Sequence, residues 1–205
     1  MNKKGFTLIE MVVVLAVVAI LAAILTPTIA KSINDSKNAR ATNETQVIAA
    51  AIASFYKDLG RWPTSNGTTG NPDYIYLLYS SQGDVPTYNS SVTNSQYWLS
   101  NQGWPANRKD TFLNHLIEND PRDGAVDYNT TNRDFKWNGP YISEVKPDPW
   151  GSQYSCNIVY TFYNGGNQYA VGVFSTGKNR TADTQVNQPI ATFQVGEDDI
   201  IQRIQ

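Results

Sequence analysis

The stretch that decides the fold is KKGFTLIEMVVVLAVVAILAAILTP, residues 3–27. From Met11 to Ala30 the chain carries no charged side chain. A helix of about 20 residues spans about 30 Å, the thickness of the hydrocarbon core of a bilayer. Lys3 and Lys4 precede this apolar run. Because positive charge stays on the cytoplasmic side of a membrane, the rest of the chain is expected to face outward.

An acidic residue, Glu10, lies at the start of the apolar run. Two simple interpretations of the run are a cleaved secretory signal peptide, with its exit near Ala30, and a plain single-span anchor. Neither interpretation needs the carboxylate, which costs about 2.5–3.5 kcal/mol at the bilayer centre and less near the interface. The acid therefore predicts a function, with a partner group that compensates its charge.

The segment KKGFTLIE, residues 3–10, resembles the leader and first residues of type IV pilins and of the pseudopilins of type II secretion. The resemblance implies that a prepilin peptidase cuts between Gly5 and Phe6, so that residues 1–5 are the leader and Phe6 becomes N-methylated. It also implies that Glu10 pairs with the terminal amine of a neighbouring subunit. Removing one side of a buried ion pair costs about 3–5 kcal/mol, so the pair is expected to set the register of assembly.

The apolar run predicts a helix that continues to Leu59 and buries one face of its second half. Gly60 is a natural end for this helix, and Pro63 prevents its continuation. The predicted face is an apolar stripe at positions i, i+4, i+7 and i+11, formed by Ile48, Ile52, Phe55 and Leu59.

The predicted helix has two parts, a transmembrane and assembly part over residues 6–30 and an amphipathic part over residues 31–60. Pro27 lies in the first part, where it lacks an N–H donor and clashes with the preceding turn. It matches the helix-interior proline of the family that the leader resembles. We expect a kink or an unwound stretch around residues 24–31.

Residues 61–138 are interpreted as a variable αβ insertion with two short helices. Asp73 is expected to cap the first, which carries Ile75, Leu77 and Leu78. The second is expected to begin at Asp110 or Thr111 and to turn inward Phe112, Leu113, Leu116 and Ile117.

Aromatic residues are frequent in this insertion. Trp98, Trp104 and Trp137 are predicted to form the insertion's own core, and a sugar- or surface-binding patch is the alternative. His115 is predicted to be solvated or partly packed.

Residues 139–205 predict an antiparallel sheet and a C-terminal loop. From Gln153 to Phe162, apolar and polar side chains alternate with period two. Asn164–Asn167 is a turn signal, and Tyr169–Phe174 predicts the returning strand. Ile190–Val195 is a candidate for a further strand. The whole chain therefore predicts an α+β pilin fold, a long N-terminal helix packed on a small antiparallel β-sheet head.

The last third also resembles the major pseudopilin of type II secretion. The similar segments are GPYISEVKPDPWGSQY, residues 139–154, and VGVFSTGKN, residues 171–179, followed by an acidic Asp198–Ile200 segment. Within the first segment, Asp148–Gly151 predicts a type I turn that initiates the hairpin.

That resemblance implies a calcium site, because calcium takes oxygen ligands from carboxylates and carbonyls. Two features depart from the family pattern: Asn179 stands where relatives carry an aspartate, and Thr181–Val195 is longer than the usual connection. The implied ligands are Asn179, Asp198 and Asp199, with backbone oxygens near Phe174 and Thr176.

Composition argues against several classes of function. The net charge of −2 gives no basic surface for nucleic acid. The single cysteine, Cys156, excludes an intrachain disulfide and is predicted to be a small core residue. With one histidine and one cysteine far apart in the sequence, no catalytic pair is indicated, and we expect the protein not to be an enzyme.

The sequence leaves two structural roles open. One is the major pseudopilin of a type II secretion system, a piston for protein export, and the other is the major subunit of a surface type IV pilus. Either role implies self-assembly, a platform protein, an assembly ATPase and minor pilins. It also implies a single-pass inner-membrane protein whose head is periplasmic before assembly into a periplasmic or extracellular filament.

Overall fold

The computed structural model describes residues 5–65, 67, 74–124, 126–131, 133–162 and 169–204. It divides into two compact units, one ending at Ala39 and the other beginning at Arg40. One helix, α1, belongs to both units and runs from Leu8 to Leu59, a length of 52 residues. The helix and its C-terminal end are therefore where the sequence places them.

The first unit consists of the N-terminal part of α1. Helical structure continues without a break through Pro27, so the unwound stretch expected around residues 24–31 is not found in the monomer. On either side of the proline, hydroxyl groups donate to carbonyls one turn back: Thr26 Oγ1 to Ala22 O (2.7 Å) and Thr28 Oγ1 to Ile24 O (3.4 Å). The acceptors lie on either side of Ala23 O, the carbonyl that lacks its helical donor because Pro27 has no N–H.

In the second unit, the C-terminal part of α1 buries the apolar stripe that the sequence predicted. Ile52 and Phe55 are fully buried, and Ile48 and Leu59 are nearly so. The helix ends at Leu59, and Gly60 follows with φ +66° and donates its N–H to Tyr56 O (2.8 Å). A left-handed residue at this position is the usual stop for a helix.

The strands of the head are β1 Leu77–Tyr79, β2 Thr87–Tyr88, β3 Lys109–Thr111, β4 Ser155–Cys156, β5 Gly172–Ser175, β6 Thr181–Ala182 and β7 Ile200–Arg203. The stripe of α1 belongs to a core formed with a five-stranded sheet in the order β3-β1-β4-β5-β7. The pairs β1–β4, β4–β5 and β5–β7 are antiparallel, whereas β1 and β3 are parallel, so the sheet is mixed rather than purely antiparallel. A parallel pair of short strands, β2 and β6, forms a second sheet.

The first helix predicted for the insertion is wrong, because Leu77 and Leu78 lie in strand β1. Together with Ile75 they are fully buried, which a central strand allows on both of its faces. Asp73, the expected cap, lies outside the described residues.

The second helix of the insertion is confirmed as α2, Phe112–Leu116. Thr111 caps it by accepting a hydrogen bond from Asn114 N (3.3 Å). The prediction for His115 is wrong, since this side chain is fully buried. Its Nδ1 lies 2.6 Å from Tyr128 Oη, and its Nε2 lies 2.9 Å from Asp110 Oδ2.

The strand predictions near the C-terminus need two corrections. Beyond Cys156 the chain forms a 3₁₀ turn, Ile158–Thr161, in place of a continued strand, and Ile190–Thr192 is also a 3₁₀ turn. The strand that completes the sheet is β7, which pairs with β5. The turn predicted at Asn164–Asn167 lies outside the described residues.

The aromatic residues of the insertion join the main core and do not form a separate one. Trp98 stacks on Phe174 of β5, with ring centres 4.3 Å apart and 15° between the planes. Trp104 and Trp137 are partly buried against the same core. Cys156 is fully buried there, as predicted.

The predicted turn at residues 148–151 is confirmed by a hydrogen bond from Gly151 N to Asp148 O (2.9 Å). The Asp148 carboxylate is buried and accepts from Ser152 N (2.8 Å) and from Ser175 Oγ (2.7 Å). The turn is thereby fastened to strand β5, beside the loops that follow that strand.

Candidate functional site

The start of α1 presents an accessible processing bond. Phe6 is 85% exposed, and a side chain at Gly5 would meet no atom of the described residues beyond its chain neighbours within 4 Å. The bond between these residues is therefore open to a peptidase. Lys3 and Lys4, which belong to the predicted leader, lie outside the described residues.

Glu10 caps its own helix through Thr7. Its Oε2 accepts hydrogen bonds from Thr7 N (2.8 Å) and Thr7 Oγ1 (2.7 Å), and Glu10 N lies 3.4 Å from Thr7 Oγ1. This reciprocal arrangement of a threonine and a glutamate three residues later is a capping box. The sequence carries its pattern, Thr7-Leu8-Ile9-Glu10, but sequence reasoning missed it.

The capping box uses only one of the two carboxylate oxygens of Glu10. Within the described part of the chain, Oε1 of Glu10 has no hydrogen-bond partner and no cation within ion-pair distance. Glu10 can therefore cap the helix with one oxygen and pair with an incoming ammonium with the other.

The apolar side chains of the first unit have no cover in the monomer. Between Phe6 and Ile33 the large apolar residues are 51–85% exposed. The helix is long and apolar enough to cross a membrane, and none of its most apolar window is buried. Such a surface is stable only in lipid or against similar helices, so the first unit fits a membrane-anchored subunit.

The head carries a second candidate site, where three acidic side chains converge on adjacent loops. Asp183, Glu197 and Asp198 each offer a carboxylate oxygen, and these atoms lie within 4.8 Å of one another. Two glycines allow the loops to approach this closely. A Cβ at Gly177 would lie 2.1 Å from Asp198 O, and one at Gly196 would lie 2.2 Å from Asp183 O.

Asn179 is at the centre of this acidic cluster. Its Nδ2 donates to Asp183 Oδ2 (2.7 Å) and lies 3.4 Å from Glu197 Oε2, and its backbone N–H donates to Asp198 Oδ2 (2.8 Å). The side-chain amide of Asn179 thus supplies partial positive charge to two carboxylates, and its backbone N–H supplies it to a third. A cation placed between Asp183 and Glu197 would replace these amide bonds.

Three buried oxygen atoms around the cluster lack a hydrogen-bond partner within the described ranges: Asp198 Oδ1, Asp199 Oδ1 and Thr176 Oγ1. Asp199 is anchored through its other oxygen, which accepts from Thr184 Oγ1 (2.6 Å) and Asp183 N (2.9 Å). Burial raises the pKa of Asp199 to about 7. Because buried polar atoms are normally paired, these orphaned oxygens fit a hard cation that takes oxygen ligands.

The ligands implied by the sequence agree with this geometry only in part. Asn179 and Asp198 contact each other. Asp199 and Thr176 carry orphaned oxygens and adjoin Asp198 and Gly177 in the chain. Phe174 lies in β5, paired with Ser155 on one side and Ile201 on the other, so its carbonyl faces a neighbouring strand. Sequence reasoning missed Asp183 and Glu197. Glu197 adjoins the acidic pair in the run Glu-Asp-Asp, whereas no local signal distinguishes Asp183.

Two family models match the chain. The Prokaryotic N-terminal methylation motif matches residues 1–26, which include the exposed processing bond and Glu10. The model of Type II secretion system (T2SS), protein G, matches residues 91–192, which include most of the insertion, strands β3 to β6 and Asp183.

Individual relatives are named as fimbrial proteins or type IV major pilin proteins. The fimbrial protein EcpC of Eikenella corrodens is 38% identical over 68 residues, which are 33% of this chain and 44% of the relative. The type IV major pilin protein PilE of Neisseria gonorrhoeae is 27% identical over 146 residues, which are 65% of this chain and 87% of the relative. The chain thus spans less than half of the first relative's length. No solved structure shows significant similarity to the chain.

Motif, architecture and relatives agree. The methylation motif coincides with an exposed bond and an acid at the start of an apolar helix, and the head is the α+β unit expected of such subunits. The chain belongs to the type IV pilin and pseudopilin family.

Proposed function

We propose that this chain is the major pseudopilin of a type II secretion system, the subunit of a periplasmic filament that acts as a piston for protein export. The match of residues 91–192 to protein G supports this role. So does the buried Asp148 turn, which belongs to the segment that resembles the major pseudopilin. The alternative is the major subunit of a surface pilus, which the PilE and EcpC relatives favour.

The observation that carries the filament role is the Oε1 of Glu10, which has no partner among the described residues, at the start of an exposed apolar helix. After cleavage, the N-methylated ammonium of Phe6 on one subunit meets Glu10 of the next. The apolar side chains exchange lipid for neighbouring helices. Because such contacts are heterologous and do not close, they propagate into a helical polymer.

The subunit passes through several partners on this path. A prepilin peptidase removes the leader on the cytoplasmic face, and an inner-membrane platform protein with its ATPase lifts each subunit into the filament, together with minor pilins. Before assembly the chain is a single-pass inner-membrane protein with its head in the periplasm. After assembly it lies in a periplasmic or extracellular filament.

We also propose a calcium ion at the acidic cluster of the head. Asp183, Glu197, Asp198 and Asp199 would hold it through carboxylate oxygens, and Thr176 would add its hydroxyl. The bound cation would offset two of the four negative charges that these carboxylates carry when all are ionised. Hydrogen bonds from Asn179 to Asp198 and Glu197 already join the loop that follows β5 to the loop before β7.

The processing step is tested by mass spectrometry of the chain purified from membranes. The N-terminal peptide is expected to begin with N-methylated Phe6. A Gly5→Val variant is expected to retain residues 1–5 and to yield no filaments. A mature N-terminus at any other residue would overturn the filament role.

The two filament roles separate under the electron microscope and in a secretion assay. For a pseudopilin, deletion of the chain abolishes export of folded proteins, and sheared cells at natural expression carry no long fibres. Long surface fibres containing this chain, with export intact in the deletion, would establish the pilus role instead.

The calcium proposal is tested by thermal unfolding of the full chain with a chelator and with added calcium. We expect calcium to raise the Tm at neutral pH, by several degrees when its concentration is about 100 times Kd. Asp183→Asn should remove most of the increase. Asp127→Asn, a change at an exposed acid elsewhere in the head, should leave it intact. Equal Tm values with chelator and with calcium would reject the ion.

A further inference from the structure

A cleft in the head, separate from both candidate sites, has the lining of a small-molecule site. Its volume is about 440 Å³, within the range of about 300–1,000 Å³ that is usual for ligand pockets. Its walls include five aromatic rings and two asparagines. The cleft is formed at the edge of the core that α1 shares, to which Val159 and Tyr160 belong, and none of the described residues that line it belongs to the acidic cluster.

The aromatic rings form two groups that are held in fixed orientations. Tyr97 and Tyr76 pack on Trp104, with ring centres 4.4 Å and 5.0 Å from the indole. Tyr160 and Tyr169 form the other group, with ring centres 5.2 Å apart. The indole is fixed by a hydrogen bond from Trp104 Nε1 to Asn157 Oδ1 (2.8 Å). The cleft therefore offers several rigid aromatic faces.

The two asparagines supply polar groups beside these faces. Asn187 Oδ1 accepts from Asn94 Nδ2 (2.8 Å) and from Gln185 Nε2 (3.0 Å). Among the described residues, the Nδ2 of Asn187 and the Oδ1 of Asn94 have no partner. Asn94 lies at φ 63°, in the left-handed region that asparagine tolerates better than most residues. One donor and one acceptor are thus held ready in the cleft.

The charge of the lining residues restricts the class of ligand that the cleft can bind. Among the described residues that line the cleft, none is charged. Arg108 packs over the Tyr76 ring, with its guanidinium carbon 5.1 Å from the ring centre, but it does not line the cleft. A phosphate- or carboxylate-bearing ligand would be desolvated there without a compensating charge.

We propose that this cleft binds a neutral saccharide. The C–H faces of a pyranose ring pack against aromatic rings, whose faces carry partial negative charge. Its hydroxyl groups both donate and accept, which matches the free oxygen of Asn94 and the free N–H groups of Asn187. A mixture of aromatic walls and a few oriented polar groups is the arrangement by which pockets select one ligand class.

The test uses the full chain in a zwitterionic detergent without a sugar head group. Lactose, cellobiose and diacetylchitobiose are titrated by calorimetry and by saturation-transfer NMR, and sialyllactose is the acidic counterpart of lactose. We expect saturable binding of at least one neutral saccharide, with Kd on the order of 1 mM, and at least tenfold weaker binding of sialyllactose than of lactose if lactose is the ligand.

Two variants localise the binding. Asn187→Ala removes the free donor and should weaken binding about tenfold, and Asn94→Gly removes the free acceptor while keeping the left-handed backbone. Asn101→Ala, a change at an exposed asparagine outside the cleft, should bind like the unchanged chain. If Asn187→Ala does not fold, Asn94→Gly decides. No saturable binding of the three neutral saccharides, or binding unchanged in the folded cleft variants, would overturn the proposal.

Discussion

The two parts of α1 differ in whether the chain itself covers their apolar side chains. Up to Ala39, Val17 and Leu21 are more than 50% exposed, like the other large apolar residues of this part. From Arg40 on, Ile52 and Phe55 of the same helix are fully buried against the head. One continuous helix thus combines a segment that completes its own domain with a segment that needs other molecules.

Because of this difference, the stability of the head and the assembly of the filament depend on different parts of α1. Burying apolar area contributes about 25 cal/mol per Å². The head gains this contribution within one chain, whereas the first part of α1 gains it only in lipid or beside other copies. Substitutions in the head should therefore change its unfolding, and substitutions at the start of α1 should change the filament while the head remains folded.

The largest expected effect is on assembly, at Glu10. Glu10→Ala should still insert in the membrane but lower filament yield by 100-fold or more, because the neighbouring ammonium would be buried without a partner at a cost of about 3–5 kcal/mol. Filament yield is measured by pelleting and electron microscopy, and the Tm of the head should not change.

Thr7→Ala is the matched control for Glu10, because it breaks the capping box and keeps the carboxylate. Loss of a cap costs about 0.5–2 kcal/mol, so its filament yield should fall far less. Equal losses in the two variants would mean that Glu10 acts only as a cap. A normal yield from Glu10→Ala would exclude both roles.

The next effect is on the head, at Phe55. Phe55→Ala should destabilise the head by about 3–5 kcal/mol, since the ring is fully buried. Chemical denaturation followed by tryptophan fluorescence measures the loss. Val47→Ala, on the exposed side of the same helix at 56% exposure, should change the free energy of unfolding by less than about 0.5 kcal/mol. Similar losses in both variants would contradict the assignment of the buried face.

The features that could be predicted from the sequence are those that depend on neighbouring residues. The helix, its buried stripe and its stop at Gly60 are local patterns, and so are the cap of α2 and the turn at Asp148. They could be predicted because each depends on residues a few positions apart. The motif at Phe6 and Glu10 is equally local.

The parts that sequence reasoning missed depend on distant contacts. Leu77 and Leu78 suit a helix or a buried strand equally well, and only the pairing of β1 with β3 and β4 decides between them. The acidic cluster is formed by loops that the sheet brings together, so Asp183 could not be assigned from its neighbours. His115 is polar, and its burial depends on Tyr128, which is 13 positions away.

A smaller effect is expected at the buried histidine of the head. His115→Phe keeps a ring of similar size but removes the contacts with Tyr128 Oη and Asp110 Oδ2. The loss should be about 1–3 kcal/mol, measured by denaturation. Tyr128→Phe and the double variant complete a cycle. A double loss smaller than the sum of the single losses would show that the two rings are coupled, and strict additivity would contradict the contact.

An effect of similar size is the pH dependence of the metal-free head at Asp199, whose pKa burial raises from 3.8 to about 7. The folded head binds this proton more tightly than the unfolded chain does. The contribution to stability is therefore full below about pH 4 and is lost as the pH rises through about 7. With a chelator present, the unchanged chain should lose about 1–3 kcal/mol between pH 4 and pH 8 relative to Asp199→Asn. Asp148, whose pKa burial also raises, is present in both chains and cancels from the difference. Parallel pH profiles of the two chains would show that Asp199 titrates as an ordinary exposed acid. The carboxylate of the head would then be open to solvent, as Glu10 is in the first part of α1.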